Sequence, residues 1–192
     1  QHWFFEQPLA EPQHWNMSVC VRLHEAFDTT AFAAALVDVA AAHPMLRATF
    51  AASRQRIAAW RADQFAHRVA GADERTALFA QWQAGLSFDG PMLRVLAVTD
   101  PADAATHLLF ATHHLVVDAV SWRIVLDDLR QAYAARRGGA VAALAPVPVS
   151  FRQWQRHLAN LPAATLARWR AHWSALDVPA APGIAYSLIR KL

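Results

Sequence analysis

The sequence predicts an α/β fold, a two-layer α/β sandwich in which a mixed sheet is flanked by helices. Three observations carry this expectation. Runs of period-2 alternation exchange with runs of helical period along the chain. Capping residues, glycines and prolines punctuate the joins between them. The resulting order is strand, helix, two strands, helix, two strands, helix, which describes one layered domain.

Each element has its own signal. In "NMSVCVRLHE", residues 16–25, Met17, Val19, Val21 and Leu23 alternate with Asn16, Ser18, Cys20 and Arg22, as in a half-buried strand. "FDTTAFAAALVDVAAAHPML" then changes period: Phe32, Leu36, Val39 and Ala40 recur at helical spacing behind Asp28 or Thr29 as the cap, and Pro44 ends the run. "MLRATFA" and "RQRIAAW" read as a hairpin-like pair of strands, and "ADERTALFAQWQAGL" as an amphipathic helix with acidic residues in its first turn, where the helix dipole favours them. "PMLRVLAVTD" and "THLLFATHH" are two strands joined by "PADAA". "VSWRIVLDDLRQAYAARR" is a helix stopped by Gly138 and Gly139. Residues 138–148 form a Gly- and Pro-rich linker, after which "SFRQWQRHLANL" and "TLARWRAHWSAL" are helices carrying tryptophans at helical spacing. "DVPAAPG" marks a further break, and the last ten residues have no partner element.

Composition removes several functional classes. Of 192 residues 55% are hydrophobic, enough for a sizeable core. The net charge of +3 comes without a basic block of the kind that tracks phosphates, which argues against a nucleic-acid partner. A single cysteine, Cys20, excludes an internal disulfide and a cysteine metal cage, and fits a cytoplasmic location. No apolar run approaches the roughly 18 residues of a membrane span, and no signal peptide is visible, so no membrane partner is expected. The chain opens at Gln1 and not at Met, which gives it the look of a piece of a longer polypeptide.

"THHLVVDAVSWRIVLDDL", residues 112–129, places two imidazoles and a carboxylate where a strand ends and a helix begins. In a regular strand His113 and His114 point to opposite faces, so the two cannot serve one metal ion. Nor does the chain contain the usual His-x3-His or Cys-x2-Cys spacing, and no metal site is expected. Asp118 stands where an N-cap belongs. Trp122 either lines a site or packs its helix on the sheet, with packing the default.

These residues resemble the core motif His-His-x-x-x-Asp-Gly of nonribosomal peptide synthetase condensation-type domains, matched by His113, His114 and Asp118 with Ala119 in the glycine position. The continuation through Val120, Ser121, Trp122 and Arg123 is most similar to the epimerization subtype, as is the opening "QHWFFEQPLAEPQHWNMS". "HPMLRATF" and "SFRQWQRHL" resemble two further segments of the family, in the right order. The resemblance implies a chloramphenicol-acetyltransferase-like lobe over residues 1–176, the first of two. Residues 177–192 then form a linker and a tail similar to a second-lobe motif, as if most of the second lobe had been lost between them.

Further implications follow from the same resemblance. The activity would be an isomerase reaction, L-to-D epimerization at Cα of an aminoacyl or peptidyl thioester. The substrate would arrive on the phosphopantetheine arm of a peptidyl carrier protein, with no tightly bound cofactor. His114 would be the base that removes the Cα proton; His113 shares the catalytic motif and is read mainly as its scaffold. Asp118 would be structural, paired with Arg47 on a neighbouring strand, in place of a simple cap. Ser121 and Trp122 are site-lining candidates. The family assigns the opposing acid to a glutamate of the second lobe, whereas Glu6, Glu11, Glu25 and Glu74 all precede the core motif. Alanine at position 119 would strain a backbone that needs positive φ or crowd the pantetheine channel. Low activity of the chain alone is therefore expected, with a second lobe or a second copy as its complement. The alternatives are amide-forming condensation by the same histidine, and a catalytically inactive module that docks carrier proteins.

Overall fold

The computed structural model describes residues 1–51 and 54–176, which divide into two compact units at Pro148. In the first unit a short helix α1 (His2–Phe5) precedes strand β1 (Asn16–Leu23). Helix α2 (Thr29–Ala42) follows, capped by the Asp28 carboxylate, which accepts from the Ala31 N–H at 2.9 Å. A 3-10 turn, Pro44–Arg47, leads into the antiparallel pair β2 (Ala48–Ala51) and β3 (Arg54–Ile57). These two strands form their own sheet.

The main sheet has the order β1, β6, β5, β4, where β4 is Phe65–Val69, β5 Leu93–Thr99 and β6 Thr106–His113. β6 pairs antiparallel with both β1 and β5, and β4 runs parallel to β5, so the sheet is mixed. β4 is a strand that periodicity does not reveal. Its five residues carry His67 and Arg68 in the middle, and its parallel partner lies beyond helix α3 (Ala72–Ala84).

Helices cover the sheet on both faces, which is why β5 and β6 are almost continuously buried and lack alternation. On one face α2 and α4 (Ala119–Arg137) meet the strands through Phe32, Leu36, Val39, Val95, Phe110 and Leu129, all at most 5% exposed. Each such side chain contributes roughly 1.5–3 kcal/mol by leaving water. On the other face Leu78, Phe79 and Trp82 of α3 pack on Leu96, Val98 and Leu109. Three polar contacts tie α2 to α4: Arg136 to Asp38 through two bonds of 2.6 Å, His43 to Asp128 at 2.6 Å, and the Asp28 N–H donating to the Tyr133 hydroxyl at 2.8 Å. α4 ends at Gly138, followed by Gly139 in the left-handed region at φ +76.

The second unit contains α5 (Phe151–Ala159) and α6 (Ala163–Ala175). Ser150 and Gln153 form a capping box at the start of α5. Trp154, Trp169 and Trp173 are 50%, 44% and 69% exposed, so they do not fill a core among the described residues. The tail assigned from sequence to residues 177–192 lies outside the described residues.

The histidine turn as candidate active site

β6 ends at His113, and the chain turns through residues 114–116 before Asp118 starts α4. The turn closes with the Val116 N–H donating to the His113 carbonyl at 3.1 Å. The two histidines diverge as expected, with one difference of cause: His114 already lies past the strand, and its direction is set by the turn.

His113 is 1% exposed, and both ring nitrogens are engaged. Because the Leu115 N–H donates to Nδ1 at 3.1 Å, that nitrogen carries the lone pair, and Nε2 bears the proton it donates to the Pro12 carbonyl at 2.9 Å. Phe4 and Phe88 flank the ring at centroid distances of 5.3 Å. Burial pushes its pKa below the ordinary histidine value, only partly offset by the bond to Pro12, with the neighbouring His114 lowering it further. A neutral imidazole in one tautomer thus clamps the strand end to the opening segment.

His114 is exposed. Its backbone N–H donates to the Trp15 carbonyl at 2.9 Å, and Nδ1 lies 2.9 Å from the Val117 carbonyl. A carbonyl only accepts, so in the neutral ring Nδ1 holds the proton and the lone pair lies on Nε2, which has no partner among the described residues. This is the arrangement a general base needs.

The expected pairing of Asp118 with Arg47 is not formed. Asp118 is exposed and is the N-cap of α4, accepting from the Ser121 N–H at 2.7 Å and the Ser121 hydroxyl at 2.6 Å. These bonds, that from the hydroxyl first, hold its carboxyl below the usual carboxylate range. Arg47 turns elsewhere: its Nε donates to the Ala40 carbonyl at 2.8 Å and its terminal nitrogen to the Ala58 carbonyl at 2.7 Å. It joins the end of α2 to the segment after β3. The carboxylate lost this competition because two backbone carbonyls adjoin the guanidinium and a local amide adjoins Asp118.

For Ala119 the structure answers the first of the two expected effects, backbone strain. It is the first residue of α4, and its φ is negative, so the methyl group adds no left-handed strain. Ser121 is committed to the cap. Trp122 is 5% exposed and packs edge-on against Phe110 at 6.1 Å, so packing accounts for it; its indole N–H has no partner among the described residues. An open, mostly apolar hollow lined in part by Gln13, Phe50, Leu86 and Phe88 includes neither histidine. The backbone carbonyls of Pro12 and Trp15, which hold the two histidines, were invisible to sequence reasoning because any residue type supplies a carbonyl.

Comparison with known proteins places the chain by family and fold. The family model of the Condensation domain matches residues 1–179. A linear gramicidin synthase of Brevibacillus parabrevis is 32% identical over 204 residues, covering 96% of this chain and 4% of that protein. Surfactin synthase subunit 2 of Bacillus subtilis is 30% identical over 189 residues, 91% of this chain and 5% of its own length. Among solved structures, the epimerization domain from the third module of tyrocidine synthetase B superposes with TM-score 0.80 at 26% identity, covering 94% of this chain and 44% of that one. The X-domain complex with OxyB from teicoplanin biosynthesis gives TM-score 0.75 at 26% identity, over 91% and 42%. The chain therefore spans less than half of the solved domains it matches, with the chloramphenicol-acetyltransferase-like fold of condensation-domain structures. By sequence and by fold, this chain belongs to the condensation domain family.

Proposed function

We propose that this chain is the histidine-bearing lobe of an epimerization-type domain of a nonribosomal peptide synthetase. In this reading His114 removes the Cα proton from an aminoacyl or peptidyl thioester presented on the phosphopantetheine arm of a carrier protein. The observation that carries the reading is the exposed His114 ring, with Nδ1–H held by the Val117 carbonyl and Nε2 free to accept. The likeness to the tyrocidine synthetase epimerization domain supports the subtype.

The proton step balances simply. The Cα–H bond breaks, its proton goes to Nε2, and its electron pair moves into the thioester carbonyl as an enolate. Returning the proton to the same face regenerates the L-centre. Inversion needs an acid on the opposite face, which the family places on a glutamate of the second lobe, supplied by another segment or chain. Condensation with the same histidine as base is the second reading, supported by the family model over residues 1–179.

The test is hydrogen–deuterium exchange at Cα of an L-aminoacyl thioester on a carrier protein in D2O, comparing the chain with His114→Ala. Exchange that disappears in the variant is expected. No exchange above the variant, from a folded chain that still binds the carrier, would retire the epimerase reading and leave condensation or a docking module.

A further inference from the structure

The opening fifteen residues contribute only the four-residue α1 and a short 3-10 turn to the regular structure, yet they touch the histidine turn repeatedly. The Pro12 carbonyl accepts from His113 Nε2 at 2.9 Å, and the Trp15 carbonyl accepts from the His114 N–H at 2.9 Å. The Gln1 side-chain amide donates to the Leu115 carbonyl at 3.2 Å across 114 residues of sequence. Phe4 stands edge-on to the His113 ring, and Phe5 shares an apolar cluster with Leu115 and Val116. His113, His114 and Leu115 are thus each held by the opening segment.

We infer that this opening segment is a positioning strap for His114, with Gln1 as its most separable positioning residue. The inference rests on His114 being the working base. The physical reason lies in the turn. His114 Nδ1–H can meet the Val117 carbonyl only while residues 114–117 keep their path, and that bond leaves the lone pair on Nε2. Gln1 fixes the carbonyl of Leu115 in the middle of that path. Loosening it lets the imidazole rotate and exchange tautomers, and a base displaced by a fraction of an ångström loses rate disproportionately. These contacts of the strap are with the turn, so its loss is expected to act on turnover before binding.

Gln1→Glu keeps the shape and removes the donor, setting a carboxylate against the Leu115 carbonyl; Phe4→Leu loosens the aromatic contact with little change in volume. Two readouts are made on the full chain. Ring 15N shifts of His114 report its tautomer without any activity: wild type is expected in the Nδ1–H form, and both variants in a mixture. Cα exchange on carrier-bound thioester is expected to fall about tenfold in kcat for Gln1→Glu, with KM unchanged. Unchanged His114 shifts in both variants, or a loss carried entirely by KM, overturns the strap. If wild type shows no exchange while the shifts move in the variants, the epimerase reading fails and the strap stands.

Discussion

Replacing Asp118 by alanine separates two accounts of the core motif. If Asp118 were one half of a buried ion pair with Arg47, its removal would strand a charge at about 3–5 kcal/mol. The structure places it on the surface instead, where one carboxylate oxygen accepts from both the Ser121 N–H and the Ser121 hydroxyl. Water replaces the hydroxyl bond readily, and the remaining loss is that of an N-cap, about 1 kcal/mol. For a chain of this size that shifts Tm by roughly 2–4 °C. Urea unfolding of wild type, Asp118→Ala, Arg47→Ala and the double variant gives the coupling directly. We expect coupling near zero, because Arg47 serves the carbonyls of Ala40 and Ala58. The pH dependence has a definite sign. The folded pKa of Asp118 lies below its unfolded value of 3.8, so the cap's contribution is complete above that value and disappears as pH falls through the folded pKa. Destabilisation of 3 kcal/mol or more, with comparable coupling to Arg47, would refute the cap and restore the ion pair.

Two other outcomes are expected. His113 is held neutral by burial with a lowered folded pKa, so its contribution is complete above the ordinary histidine value of 6.5 and is lost as pH falls below it. The urea midpoint should therefore drop between pH 7 and pH 5, and His113→Gln should flatten part of that slope; an unchanged slope would show that the titration belongs to other groups, such as His67. Ala119→Gly should cost up to about 1 kcal/mol of stability in a thermal melt, because the position is already helical and gains nothing from glycine's freedom. A rise in Tm would mean that the alanine methyl group is strained after all.

Much of the fold was legible because its signals are local. Caps, stops and periodicities act within a few residues, so β1, the capped start of α2 and the Gly138 end of α4 could be read directly, whereas Asp118 stood at a cap position but was read, by resemblance, as the partner of Arg47. The motif also pointed to His113 and His114, but the exposure of one and burial of the other follow from the strand ending at His113 and the turn that carries His114. Strand β4 escaped notice because it is held by a parallel partner across an intervening helix, and its polar centre breaks the pattern.

What the amino-acid order determined by itself was the family, the layered α/β architecture and the two histidines at a strand-to-helix join. Only the tertiary structure decided that Asp118 caps a helix while Arg47 binds carbonyls, and that His113 is locked in one tautomer. It alone revealed that Gln1 reaches Leu115. Such choices are competitions among partners far apart in sequence, and a donor is satisfied by whichever acceptor the folded chain brings within about 3 Å.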